Sequence, residues 1–172
     1  MLNPQNYLRL GAAAVLGILA LTSAATATTI VHRTLDEMVR DVDQILVGEI
    51  VSVDQVWGAI DSEDELVFTH AVMRVDKAIK GDLASGTVEL HAPGGAIGTM
   101  ATQVPGSADL AEVGRRMIVF LWDDVAESNY SNVAYWSNGQ FKVTDSGIVE
   151  RTGQTEAEFV RHLENRVLNA NR

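Results

Sequence analysis

Gln44-Ile45-Leu46-Val47-Gly48-Glu49-Ile50-Val51-Ser52-Val53-Asp54-Gln55-Val56-Trp57 is the stretch that decides the fold. Apolar side chains recur here with period two, so Val47, Val51, Val53 and Trp57 are expected on one face of a strand running from Ile45 to Trp57. A helix would repeat them every three or four residues. Leu46 and Ile50 make the first half apolar on the opposite face as well, which predicts a segment buried on both sides. Gly48 inside such a strand signals a bulge, or the tight bend of a sheet that curls into a barrel.

Upstream, Thr34-Leu35-Asp36-Glu37 is a capping box, with Thr at the N-cap and Glu three residues on. Leu35, Met38, Val39 and Val42 then follow helical spacing, so a short helix is expected to dock before the strand. Downstream, residues 58–65 form an acidic connection. Val67, Thr69, Ala71, Met73 and Val75 line one face of a second long strand whose other face carries His70, Arg74 and Asp76. Lys80-Gly81-Asp82 opens a loop closed by Gly86, and Val88, Leu90 and Ala92 point inward from a third strand antiparallel to the second.

Pro93 to Gly98 reads as a flexible corner before a weaker strand near Thr99 to Val104 and a loop from Pro105 to Gly114. Met117 to Trp122 (MIVFLW) is uniformly apolar, the pattern of a central strand covered on both faces. Asn138-Gly139, between Val133–Trp136 and Phe141–Thr144, predicts a type I′ hairpin. A second capping box, Thr155 to Glu158, precedes Phe159, Val160, Leu163 and Val167 on one side of an amphipathic helix. The expected fold is mainly β, a small closed or partly open antiparallel barrel with a short N-terminal helix and a C-terminal amphipathic helix.

The first 27 residues read differently. Arg9 and the free amine supply a positive start, Leu10 to Leu21 an apolar run, and Ala25-Thr26-Ala27 a small-residue cleavage site. The run is shorter than the roughly 20 residues a membrane-spanning helix needs, so residues 1–27 are expected to be a cleaved signal peptide and residues 28–172 a single domain. The expected location is the periplasm or the outside of a bacterial cell, with no stable membrane anchor after cleavage.

Composition limits the partners. The chain of 172 residues has 13 Lys and Arg against 23 Asp and Glu, and only Arg9 among them precedes Thr28. The processed domain therefore carries a net charge of −11. Such a surface repels phosphate backbones and anionic lipid, which argues against nucleic acid as a partner. The sequence contains no cysteine, so disulfides, thiolate nucleophiles and cysteine-based metal sites are excluded.

From Asp43 to Asp123, the order of features resembles the netrin-like modules, an OB-type barrel family that includes tissue inhibitors of metalloproteinases. The residues that carry the resemblance are Asp43-Gln44-Ile45-Leu46-Val47-Gly48, Ile79-Lys80-Gly81, Ala92-Pro93, and Gly114 ahead of Val119-Phe120-Leu121. The chain is also similar to a broad group of secreted bacterial proteins with a VVGxV … KG … PGG … G … FL pattern. The resemblance implies a barrel of OB type. It does not carry over the inhibitors' mechanism, which uses a cysteine at the mature N-terminus to reach the protease zinc. A Thr28 or Thr29 terminus could still offer an amine and a carbonyl to a metal.

Catalytic patterns are weak. His32, His70, His91 and His162 include no H-E-x-x-H and no pair at helical i, i+4 spacing, so no metal and no cofactor is expected. His70 and His91 are expected to share the outward face of adjacent strands. Asp61-Ser62-Glu63-Asp64-Glu65 lacks the glycine and ligand alternation of a calcium loop. Asp123-Asp124 ends a strand without an identified acid–base partner. Ser107 and Ser146 lack nucleophile-elbow context. Gly94-Gly95-Ala96-Ile97-Gly98 opens no helix and reads as a corner rather than a phosphate cradle.

Aromatics near strand ends carry the remaining interest, since they stack on sugars or anchor interfaces. The residues expected to bind are Trp57, His70, His91, Gly94, Gly95, Tyr130 and Trp136. The functional expectation is an exported, non-enzymatic binding or interaction domain, its partner a secreted protein, a protease or a surface polymer. The alternatives are a secreted metalloprotease inhibitor of the same fold and a small hydrolase working near Asp123, His70 or His91.

Overall fold

A strand whose two faces are both apolar needs cover on both sides, and the molecule supplies it with a ring of strands inside and two helices outside. A computed structural model describes residues 33–59, 65–82, 86–122 and 131–170, all within one unit, His32–Arg172. The expected leader and the Thr28-Thr29 terminus lie outside the described residues. Among the described residues no helix is long and apolar enough to cross a membrane.

The first helix, α1 (Leu35–Asp41), begins at the expected capping box: the Glu37 amide donates to Thr34 Oγ1 at 3.3 Å and the Thr34 amide donates to the Glu37 carboxylate at 2.8 Å. The strand β1 (Gln44–Ala59) pairs antiparallel along its length with β2 (Glu65–Lys80), and β2 pairs antiparallel with β3 (Thr87–Pro93). The short β4 (Gly95–Ile97) and β5 (Met100–Thr102) form a separate hairpin. On its other edge, Gln44–Glu49 of β1 pairs antiparallel with β6 (Arg116–Trp122). The strand β7 (Ser131–Val133) lies antiparallel to β6 and parallel to β3, which joins β1, β2, β3, β7 and β6 in a hydrogen-bonded ring. The strand β8 (Gln140–Val143) lies beside the first half of β6, and the chain ends in α2 (Glu156–Ala170). The mainly β class with a helix at each end is as expected.

The core has two parts. Leu46, Ile50, Met73, Leu90, Met117, Val119 and Leu121 fill the inside of the ring. Met38, Val39, Ile45, Val47, Ile118, Phe120, Phe159 and Leu163 fill the space between the sheet and the two helices. The run Met117 to Leu121 is fully buried because its odd residues face the ring and its even residues face the helices. Phe159 and Leu163 are buried to the same degree, each worth about 1.5–3 kcal/mol of apolar transfer. Lys80 joins the layers: its ammonium donates to the carbonyls of Val39, Arg40 and Val42 at 2.7, 3.0 and 2.5 Å, satisfying the C-terminal end of α1.

Three local expectations change. Val51 has no register partner on β2, which goes from Ile50↔Met73 directly to Ser52↔Val72. This bulge flips the alternation, so Val47 belongs to the helix-side core, Val51 is 39% exposed, and Val53 returns to the ring side. The single face assigned to Val47, Val51, Val53 and Trp57 does not exist. The stretch Thr99–Val104 is a strand only over Met100–Thr102, and its partner Gly95–Ile97 comes out of the expected corner.

The expected hairpin at Asn138-Gly139 is also absent, for β7 and β8 both pair with β6 and not with each other. Trp136–Gly139 is a 3₁₀ turn, and the left-handed residues are Tyr135 and Trp136. Gly139 is required by space instead, since a Cβ there would stand 1.8 Å from the Ala134 carbonyl oxygen.

At Gly48 there is no room for a side chain between β1 and β2, for a Cβ would lie 2.1 Å from the Arg74 carbonyl oxygen. Because that atom is backbone, relief requires the two strands to part. Gly48→Ala is expected to lower unfolding free energy by about 3 kcal/mol or more in urea denaturation; a change within about 0.5 kcal/mol would show that the contact is not tight.

Candidate functional site

Strand ends expose what strand centres bury, and three of them meet on one side of the ring. The end of β3 contributes His91, Ala92 and Pro93, the end of β6 contributes Trp122, and β7 contributes Asn132 and Val133. Ser107 and Ala108 from the loop after β5, and Trp136 from the 3₁₀ turn, complete a groove of about 280 Å³. Trp122 is 38% exposed and Trp136 50% exposed.

The turn that carries Trp136 is built against local preference. Tyr135 and Trp136 have φ of 56° and 59°, a left-handed conformation that costs an L-residue about 1–2 kcal/mol each. Surrounding contacts hold it there. The Ser137 amide donates to the Gly106 carbonyl at 2.8 Å, and the Arg151 guanidinium donates to the carbonyls of Ser137, Asn138 and Gln140 at 3.1, 2.9 and 3.1 Å. Arg151 also stacks 4.7 Å above the Phe141 ring. Tyr135 packs edge-on against Trp122 at 4.9 Å between ring centres. On the facing wall Ser107 Oγ donates to the Pro93 carbonyl at 2.5 Å, tying the loop to the end of β3.

His91 is directly opposite His70 across the β2–β3 pair, on the outward face of the sheet as expected. Their rings meet edge to face at 4.4 Å, and His91 stacks on Phe68 at 4.5 Å. Register extends this row from Asp54 on β1 through His70 and His91 to Asn132 on β7. Burial, and then the neighbouring His70, lower the pKa of His91 from the usual 6.5 to about 4. The imidazole at the groove is therefore neutral at pH 7, with one nitrogen a donor and the other an acceptor.

Of the seven residues expected to bind, His91 and Trp136 line the groove and His70 stands behind His91. Gly94 and Gly95 are held elsewhere by packing: Thr69 Oγ1 donates to the Gly94 carbonyl at 2.7 Å, and a Cβ on Gly95 would stand 1.6 Å from Gln55 Oε1. Trp57 is opposite Val67 near the far end of β1 and is not part of the lining. Tyr130, along with His32, residues 61–64, Asp123-Asp124 and Asn129, lies outside the described residues. Trp122, Asn132 and Ser107 were not foreseen as groove residues. Trp122 closes a run read as wholly buried, and the exposure of a strand's last residue was the signal that could have singled it out.

A second hollow, of about 340 Å³, lies among Glu49, Glu112, Arg115, Arg116, Asp145 and Glu156. Its cations are engaged internally: Arg116 grips Glu156 through two nitrogens at 2.6 and 2.7 Å and reaches Asp76, and Arg115 pairs with Glu112. Among the described residues no three His, Asp or Glu side chains converge for a metal ion. No protein-family model and no curated protein matches the sequence. The reading of function therefore rests on the groove.

Unfolding restores the ordinary affinity of His91 for protons, so acid favours the unfolded chain between about pH 6.5 and pH 4. Stability tied to this group is intact above that window and is lost as pH falls through it. Partial solvent screening limits the effect to about 1–2 kcal/mol. The stability advantage of the wild type over His91→Gln, measured by urea denaturation at a series of pH values, should shrink by that amount from pH 7.5 to pH 3.5. A difference that does not vary with pH would refute the perturbed titration.

Proposed function

We propose that this chain is an exported, non-enzymatic binding domain of OB type whose groove beside β7 captures a polymer of the cell surface. The observation that carries the reading is Trp136, kept half exposed by two consecutive left-handed residues in a turn gripped by Arg151. Hydrophobic burial alone would place an indole inward, so strain that keeps one outward and rigid is best accounted for by a ligand.

The OB-type assignment is supported by the ring order β1-β2-β3-β7-β6, with its parallel contact between β3 and β7. In such barrels ligands lie on the face of the second and third strands and the adjoining loops, and here that face carries Phe68, His70 and His91. Export is supported by the apolar run Leu10–Leu21 followed by Ala25-Thr26-Ala27. A processed charge of −11 turns away nucleic acid and anionic lipid.

Sedimentation with the isolated envelope of the producing cells tests the proposal. The processed protein should pellet with the envelope, and the double variant Trp122→Ala, Trp136→Ala should lose at least tenfold in apparent affinity with unchanged far-ultraviolet circular dichroism. Wild-type protein that stays in the supernatant, or variants that pellet equally, would overturn it.

A further inference from the structure

Trp57 stands apart from the groove, near the end of a strand edge that the ring does not use. Beyond Val51, β1 pairs with β2 alone, in unbroken register from Ser52 to Ala59. We infer that the other edge of this stretch accepts a further strand, an extended cationic segment of a partner protein. This surface is separate from the groove and does not depend on it.

The direction of the backbone groups follows from one hydrogen bond. The Gly94 amide, just past β3, donates to the Val67 carbonyl at 2.8 Å. Val67 therefore turns its backbone groups away from β1, and its antiparallel partner Trp57 turns its own away from β2. Alternation gives Gln55 and Val53 the same outward aim. Among the described residues no backbone group bonds to these three along that edge. The edge is also held in shape. Gln55 Oε1 accepts from Thr69 Oγ1 at 3.3 Å and from the Ala96 amide at 3.2 Å, and a Cβ on Gly58 would stand 2.8 Å from the Phe68 ring.

Strand edges that stay unpaired are commonly guarded by Lys, Pro or a bulge. Ser52–Ala59 contains no Lys, no Pro and no register shift. The contrast is β8, whose outer edge is covered by the Glu150 amide donating to the Lys142 carbonyl at 3.0 Å and by the bridge Val143↔Val149. Exposed apolar side chains flank the open stretch, Val51 before it and Trp57, 47% exposed, near its end. An indole in that position is a ready anchor for a docked strand.

Charge selects the occupant. Asp54 and Glu65 are exposed and have no ion-pair partner among the described residues. Neither Ser52–Ala59 nor the facing Glu65–Val72 contains Lys or Arg. Residues 60–64, 83–85 and 123–130, outside the described set, contain six Asp and Glu and no Lys or Arg, so they do not reverse the sign. A second copy would bring another strongly acidic domain and a second Asp54 to the edge, whereas a strand with Lys opposite Asp54 would gain a cross-strand pair.

Amide chemical shifts of the nitrogen-15-labelled processed protein are followed during titration with a blocked decapeptide of alternating Lys and Val. The amides of Val53, Gln55 and Trp57 should move, with a sub-millimolar Kd. Asp54→Lys should weaken binding at least tenfold with unchanged circular dichroism. N-methylation of two consecutive central residues of the peptide, which removes a donor from each edge of its strand, should do the same. The double variant Trp122→Ala, Trp136→Ala should bind as the wild type does. No binding up to 10 mM would sink the inference, as would equal binding of the N-methylated peptide or of alternating Glu and Val, or shifts confined to the groove. Concentration-dependent shifts of the three edge amides without peptide would assign the edge to a second copy and overturn it equally.

Discussion

Everything in this molecule depends on five residues near the start of β1 being paired along both edges. Ile45 to Glu49 pair with β2 on one side and β6 on the other, and this double pairing turns a sheet with ends into a ring. Strands so engaged can send no face to solvent cheaply, which is why Ile45 and Val47 lie under the helices while Leu46 and Ile50 fill the ring. Gly48 sits at the crowding point, where the Arg74 carbonyl occupies the space a side chain would need. The bulge at Val51 then releases the strand, and beyond it β1 is paired with β2 alone.

The helices are clamps on this arrangement rather than a separate layer added later. The fixing of α1 by Lys80 links the last residue of β2 to a helix that precedes β1 in the chain. Arg166 of α2 meets Asp36 of α1, so the two ends of the described chain also hold each other. Arg116 performs a similar service between β6, β2 and the start of α2 through Asp76 and Glu156. Such pairs are partly exposed and individually modest; their value is in setting where each element sits.

Much of this was legible, and the reasons differ by element. Both capping boxes could be read because they are local: four residues contain donor, acceptor and geometry. The inward face of β2 from Val67 to Val75 was clear because nothing interrupts its alternation. Val51 was misread because a bulge changes the phase without changing the composition, and an isoleucine–valine–serine–valine run fits either phase. Asn138-Gly139 misled for another reason. The pair suits a tight hairpin in isolation, but β6 offers edges to β7 and β8 separately, and tertiary pairing outweighed the local turn preference. The groove was only half visible, because Trp122 and Asn132 acquire their role from a juxtaposition of strand ends that no single stretch encodes.

The ring is thinnest around β7, which is held by two register pairs on each side, Leu90↔Ser131 and His91↔Asn132 to β3 and Leu121↔Val133 and Trp122↔Asn132 to β6. The other junctions, β1–β2, β2–β3 and β1–β6, run over longer antiparallel registers, and β6 has further support from β8. His91 and Asn132 are also walls of the groove, so the thinnest seam and the place a guest would occupy are the same. A chain lying across both residues would act as a staple, and occupancy would be felt as resistance of the whole ring to opening.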